Sequence, residues 1–107
     1  MNRHITVLAT LAFVGLATCT VLAQSSGADI YKSKCAMCHA ADGSASSGAG
    51  KAMHVPSLLT PEAKKASTAS YEAIVKSGKG KMPAYGTKLS GPEIKSVVAY
   101  IRTLQKK

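Results

Sequence analysis

The chain has 107 residues, which is enough for one domain and no more. Lysine and arginine outnumber aspartate and glutamate by 14 to 5, which gives a formal net charge of +9. A surface this basic favours acidic partners or anionic lipid. The lysines are scattered along the chain rather than clustered with aromatic residues, which argues against nucleic-acid binding.

The first predicted element is an export signal. A short basic start that contains Arg3 precedes an apolar run, and Val21-Leu22-Ala23 at its end places small or β-branched residues where a signal peptidase cleaves. This layout predicts a cleavable signal peptide over residues 1–23 and a mature domain over residues 24–107. Two alternatives stay open. The apolar run of about 18 residues reaches the lower limit for a membrane anchor, and Cys19 could carry a lipid, although Thr18 fits poorly before a lipidated cysteine.

The mature domain has few large side chains for a core. The one phenylalanine, Phe13, lies in the signal, and the sequence contains no tryptophan. A domain this small buries only about 60% of the surface that its unfolded chain exposes, and it commonly needs a disulfide, a metal or a partner for stability. The sequence therefore predicts that a bound apolar group completes the core.

The next element is a helix over residues 27–39 that ends in Cys35-Ala36-Met37-Cys38-His39. The spacing C-x-x-C-H is the signature of covalent c-type haem attachment. On a helix, positions i, i+3 and i+4 share one face. Both thiols can therefore reach one porphyrin edge, while the imidazole of His39 lies beneath the iron.

A C-x-x-C pair has three other interpretations. A thioredoxin-like dithiol would need a βαβ context, which the sequence lacks. A zinc site would need further ligands, and His54 is the only other histidine of the mature chain. A structural disulfide across three helical residues would have poor geometry.

The middle of the chain alternates loops and short helices. Residues 40–51 consist of alanine, glycine and serine with one aspartate and one lysine, so we predict a surface loop without a core anchor. A stiff apolar segment, 55–59, follows. Thr60-Pro61 then predicts a helix start, with the threonine as cap and the proline in the first turn.

The last third predicts two helices separated by a loop. Residues 70–77 carry apolar side chains on one face, and Gly78 offers a stop. Residues 79–88 are rich in lysine, glycine and proline and indicate a loop. Ser90 and Glu93 form a capping box at the start of a strongly amphipathic final helix. No segment alternates as a strand would, so the mature domain is predicted to be all-α with long loops.

Taken together, these motifs give the chain a resemblance to the class I cytochromes c, in particular the small single-haem bacterial kind. The resemblance is carried by Gly27 with Tyr31, the C-x-x-C-H segment, Val55-Pro56-Ser57-Leu58, Lys81-Met82-Pro83-Ala84-Tyr85, and the final helix around Tyr100. It implies three to five helices wrapped around one covalently bound haem. It also implies that the first and last helices cross, with Tyr31 and Tyr100 in contact.

The resemblance assigns a role to each candidate site residue. Cys35 and Cys38 would hold haem c, and the iron would be bound by His39 on one side and Met82 on the other. The carbonyl of Pro56 would accept a hydrogen bond from Nδ1 of His39, although Val55 stands where many relatives have glycine. Leu58 and Tyr85 would line the haem.

Three residues compete with Met82 for the iron. Met37 lies between the two cysteines, where helix geometry points it away from the iron. Met53 lacks the family's sequence context. His54 is the more serious rival, because it would give ligation by two histidines.

Ligation on both sides predicts a periplasmic single-electron carrier rather than an enzyme, because a saturated iron has no position for a substrate. The expected partners are redox proteins with acidic surfaces, such as membrane cytochrome complexes, terminal oxidases or dehydrogenases. Peripheral membrane contact would also suit the basic charge. The alternatives are a haem protein with an open iron site, of the peroxidase or gas-sensing type, and a subunit through which electrons enter a larger oxidoreductase.

Overall fold

The computed structural model describes residues 12–18 and 25–107. Residues 12–18 are exposed and have no regular secondary structure. The rest of the predicted signal, including Cys19 and the cleavage point after Ala23, lies outside the described residues. Within the described residues, no helix combines the length and the apolar character that crossing a membrane requires.

Residues 25–107 contain six α-helices and one π-helical turn. The helices are α1 (Gly27–Ile30), α2 (Ala36–His39), α3 (Gly48–Ala52), α4 (Pro61–Lys65), α5 (Thr68–Ser77) and α6 (Gly91–Leu104), and the π-helical turn Tyr31–Cys35 joins α1 to α2. The β-structure in this part of the chain is one isolated antiparallel bridge between Lys79 and Met82. The prediction of an all-α domain is therefore confirmed.

The first and last helices cross at close range. A Cβ added at Gly27 would lie 2.1 Å from the carbonyl oxygen of Ser96 in α6, so only glycine allows this approach. Beside the crossing, the rings of Tyr31 and Tyr100 lie 5.3 Å apart with an angle of 53° between their planes. The predicted contact between the two tyrosines is confirmed, and it buries Tyr31 completely.

Side-chain caps fix the helix boundaries that the sequence predicts. The hydroxyl of Thr60 accepts a hydrogen bond from the backbone of Ala63 at the start of α4. Ser90 and Glu93 form both bonds of the capping box at the start of α6. The apolar face of α6 is buried and supplies half of the core: Ile94, Val97, Val98, Ile101 and Leu104.

The predicted surface loop over residues 40–51 contains a helix instead. Ser47 caps α3 by accepting a hydrogen bond from the backbone of Gly50, and Gly50 is itself buried. A Cβ at Gly50 would lie 2.3 Å from the carbonyl oxygen of Cys38. Small residues here let one backbone pack against another, and the high glycine content, which lowers helix propensity, concealed the helix.

Candidate functional site

The two cysteines of the C-x-x-C-H segment flank an irregularity in the first helix. The π-helical turn ends at Cys35, whose φ of −112° departs from helical values, and α2 then carries Cys38 and His39. Insertions of this kind occur frequently at functional sites. Both thiols are free and half-buried, and Cys35 packs against the hydrophobic core.

The environment of Cys35 disfavours dithiol chemistry. Burial raises the pKa of its thiol to about 11, and the nearby charge of Lys34 offsets only part of that effect. A redox-active cysteine needs a lowered pKa, because the thiolate is the nucleophile. The thioredoxin-like interpretation therefore loses support, since Cys35 stays protonated at neutral pH.

His39 ends α2 in a state suited to a metal ligand. Burial lowers the pKa of its imidazole, so the ring is neutral at pH 7, as iron ligation requires. Its Nδ1 atom is buried and has no hydrogen-bond partner. Metal-binding histidines commonly donate a hydrogen bond from the ring nitrogen that does not bind the metal.

The hydrogen bond expected from Nδ1 of His39 to the carbonyl of Pro56 is not formed. Pro56 is exposed. The backbone on each side of it is held elsewhere, since Val55 donates to the carbonyl of Gly50 at 2.9 Å and Leu58 donates to that of Gly43 at 2.8 Å. These two bonds fix the path of the segment at Pro56, and the proline acts there as a rigid turn.

Met82 lies on a tight hairpin after α5. Gly78 ends the helix at a φ of +76°, and Lys79 and Met82 exchange two backbone hydrogen bonds of 3.1 and 2.9 Å. Gly80 supplies a positive φ of 57° at the first position of the two-residue loop, as a type II′ turn requires. The side chain of Met82 is half-buried against the core.

Tyr85 connects the Met82 hairpin to the haem-attachment segment. Its hydroxyl donates to the carbonyl of Lys34 at 3.2 Å, and its backbone donates to Val75 at the end of α5 at 2.9 Å. Burial, followed by the charges of Cys35 and Cys38, raises its pKa. The sequence segments that carry the two cysteines and Met82 therefore meet at Tyr85.

Leu58 packs against the same core as Cys35, Met82 and Tyr85. Its carbonyl accepts a hydrogen bond of 2.8 Å from the side chain of Gln105 at the end of α6. Gln105 also donates to the hydroxyl of Tyr71 at 2.9 Å. No sequence pattern indicated that Gln105 would link Leu58 to Tyr71, because a polar residue at a helix end is ordinarily exposed.

The competing ligands differ in their placement. Met37 is 75% exposed. His54 is exposed on a turn with a φ of +54°, and Met53 is half-buried. Among residues 12–18 and 25–107, no three histidine, cysteine, aspartate or glutamate side chains group as a metal ion would require, so the zinc interpretation has no ligand set there.

Residues Cys35, Cys38 and His39 fit a c-type haem by their chemistry. The two cysteines offer free thiols and His39 offers a neutral imidazole, while Met82 offers a half-buried thioether on a neighbouring hairpin. A porphyrin with an iron centre uses each of these groups.

Comparison with known proteins gives two kinds of match. A family model described as cytochrome c oxidase, cbb3-type, subunit III matches residues 23–101. Cytochrome c6 from Picosynechococcus sp. is 36% identical over 108 residues, covering 91% of this chain and 86% of the relative. Cytochrome c6 from Aphanizomenon flos-aquae is 36% identical over 80 residues, covering 71% and 84%, and that from Bryopsis maxima is 38% identical over 80 residues, covering 70% and 84%.

Proposed function

Because the chain belongs to the class I cytochromes c, we propose that it is a periplasmic single-electron carrier whose iron is bound by His39 and Met82. Family membership itself establishes the cofactor and the general role of the protein. The protein carries covalent haem c with iron, and it transfers electrons rather than catalysing a reaction. Our proposal adds the periplasmic location, the ligand pair of His39 and Met82, and the redox partners.

The observation that carries the proposed ligand pair is the attachment of the Met82 hairpin beside Cys35. The hydrogen bond from Tyr85 to the carbonyl of Lys34 joins the two segments, and Pro83 after Met82 favours an extended backbone for presenting the thioether. The bound haem supplies a reversible one-electron couple. With His39 and Met82 both bound, the iron would have no open position, and methionine ligation would raise the reduction potential.

The ligand pair can be tested with carbon monoxide and single substitutions. The ferrous protein should respond little to carbon monoxide near neutral pH, whereas Met82→Ala should bind it readily. Met53→Ala and His54→Ala are matched controls that remove the competing groups, and both should behave as the unmodified protein does. Strong binding by the unmodified protein, or a response to His54→Ala instead of Met82→Ala, would exclude the proposed pair and favour an open-site or bis-histidine protein.

The periplasmic location rests on the predicted signal at residues 1–23. The test is the amino-terminal sequence of protein recovered from the periplasm. We expect Gln24 as the first residue. An intact amino terminus in the membrane fraction would indicate an uncleaved anchor, and a lipid on Cys19 would indicate the lipoprotein alternative.

For docking, we propose acidic-surfaced redox proteins on the side of the Met82 hairpin. Lys34, Lys79, Lys81 and Lys88 are exposed in or beside the segments that carry Cys35 and Met82. Positive charge at this place would attract a negatively charged partner and speed encounter at low salt. Peripheral contact with anionic lipid uses the same charge and would depend on salt in the same way.

Small redox reagents of opposite charge can test the docking surface. Lys79→Glu with Lys81→Glu should slow oxidation by ferricyanide and weaken its salt dependence, while oxidation by a cationic ruthenium complex accelerates. Lys106→Glu with Lys107→Glu is the matched control, because it changes the net charge equally at residues outside the proposed docking surface. Equal effects of the two pairs would mean that only the overall charge matters.

A second candidate is a subunit through which electrons enter a larger oxidoreductase. The observation that favours it is the description of the matching family model, which names a subunit of an oxidase. Gel filtration of the periplasmic fraction separates the two candidates. A free carrier elutes as a single small haem protein, whereas a subunit elutes with a large complex.

A further inference from the structure

Four consecutive carbonyls at the end of α2 each have a hydrogen-bond donor. Ser47 donates its hydroxyl to Met37 at 2.7 Å and to Cys38 at 3.1 Å. The backbone of Ala45 donates to His39 at 2.8 Å. The carbonyls at a helix end have no partner within the helix, so this set of bonds determines how the segment leaves α2.

The donors to the fourth carbonyl, that of Ala40, come from two directions. Gly43 donates its backbone N–H at 3.2 Å. The hydroxyl of Tyr31 donates at 2.6 Å from nine residues earlier in the chain. The donors to the other three carbonyls all come from residues 45 and 47, so among these donors only Tyr31 lies at the crossing of α1 and α6.

Ala40 adopts a backbone conformation that alanine rarely occupies. Its φ of 63° and ψ of 164° fall in a region used almost only by glycine. The strain of one such residue is comparable in size with the net gain from one hydrogen bond. Removal of one bond at Ala40 can therefore release the strained conformation and shift the neighbouring residue, which is His39.

The ring of His39 has no side-chain hydrogen bond to orient it. Its buried Nδ1 is unpartnered, whereas metal-binding histidines are commonly held through that atom. Since His39 directly precedes Ala40, a shift of the backbone at Ala40 would move the imidazole.

We propose that Tyr31 is a positioning residue for the iron ligand His39: its hydroxyl holds Ala40 in the strained conformation that sets the direction of the imidazole. The inference rests on the proposed role of His39 as an iron ligand. It makes the tyrosine hydroxyl, and not only its ring, part of the haem site.

The test is proton NMR of the ferric holoprotein, because the shifts of the haem methyl groups report the orientation of the axial ligand. Tyr31→Phe keeps the ring at the helix crossing and removes only the hydroxyl. It should shift the pattern of methyl resonances. Tyr100→Phe is the matched control, because it removes a hydroxyl from the same aromatic pair without touching Ala40, and it should leave the pattern unchanged.

A second substitution separates positioning from general stability. Ala40→Gly makes the conformation accessible without strain, so it should leave the pattern unchanged alone and should reduce the displacement caused by Tyr31→Phe. Three results would each overturn the inference. The first is the same pattern of methyl resonances for Tyr31→Phe and Tyr100→Phe. The second is a displacement by Tyr31→Phe that is equally large when Ala40→Gly is also present, and the third is a displaced pattern for Ala40→Gly alone. Failure of the proposed ligand pair would be seen separately, in the carbon monoxide response of the unmodified protein.

Discussion

The segment that carries His39 and the hairpin that carries Met82 are held in different ways. On the histidine side, backbone lies against backbone without room for a methyl group, and the carbonyls of residues 37–40 are all hydrogen-bonded. On the methionine side, backbone is also close at Gly78, but the hairpin tip at Gly80 is open, and the hairpin depends on two glycines with positive φ and on a small number of bonds to α5. With His39 and Met82 as the proposed iron ligands, this contrast predicts that His39 is held rigidly and that Met82 can move without unfolding of the domain.

The largest expected effect compares two glycines, one on each side. A Cβ at Gly50 would lie 2.3 Å from the carbonyl oxygen of Cys38 and 2.5 Å from that of Ala45, whereas a Cβ at Gly80 would meet nothing within 4 Å. Gly50→Ala should therefore lower the free energy of unfolding by about 3 kcal/mol or more, since two backbones must separate. Gly80→Ala should cost about 1 kcal/mol, from its positive φ alone.

Urea denaturation of both variants measures this difference. Gly48→Ala is the control within α3, because its added Cβ also meets nothing within 4 Å. If Gly50→Ala and Gly80→Ala cost the same, the histidine side is no more tightly packed than the methionine side, and the comparison fails.

A pH titration tests the histidine side next. Burial raises the pKa of Tyr31 to about 12 from its ordinary value of 10. The protonated hydroxyl therefore stabilises the fold fully below pH 10, and this contribution is lost as the pH rises toward 12. The loss should be on the order of 2 kcal/mol.

Tyr31→Phe isolates this contribution, because phenylalanine does not titrate. Its free energy of unfolding should fall less steeply than that of the unmodified protein between pH 10 and 12. Parallel curves for the two proteins would show that Tyr31 ionises as freely in the folded state as in the unfolded state.

Local features could be predicted from the sequence, whereas contacts between distant residues could not. The C-x-x-C-H spacing, the caps at Thr60 and Ser90 and the apolar face of α6 depend on local patterns, and each could be predicted from neighbouring residues. The helix α3 could not, because its stability comes from the contact of Gly50 with Cys38 rather than from its own helix propensity. The one available signal was Ser47, a typical helix-capping residue that precedes a run of small residues.

The hydrogen bonds of the site could not be predicted from the sequence either. The bond expected between His39 and Pro56 is absent from the structure, and the neighbours of the exposed Pro56, Val55 and Leu58, donate to Gly50 and Gly43. The bond from Tyr31 to Ala40 was not foreseen, since it depends on a backbone conformation that alanine seldom adopts. Both depend on where a chain turns, which side-chain patterns do not specify.

On the methionine side, Gly78→Ala should loosen the hairpin that carries Met82, the proposed ligand. Its Cβ would lie 2.7 Å from the carbonyl oxygen of Met82, at a φ of +76°. We expect the hairpin to open more readily by about 1 kcal/mol, so added imidazole should bind the ferric iron roughly fivefold more tightly. Spectral titration with imidazole measures this, and an unchanged affinity would mean that the hairpin does not control the access of ligands to the iron.

The smallest predicted effect returns to the histidine side, where Ala40→Gly should stabilise the protein. Relief of the strained conformation of Ala40 contributes about 1–3 kcal/mol, and the added flexibility of glycine in the unfolded chain offsets about 0.5–1 kcal/mol of that gain. The net gain of about 1 kcal/mol should raise the Tm by roughly 4–8 °C in a domain of this size. The same substitution at Ala41, which lies beyond the strained residue, should lower the Tm or leave it unchanged. If Ala40→Gly also lowers the Tm, Ala40 is not strained, and the rigidity of the histidine side must then come from packing at Gly50 alone.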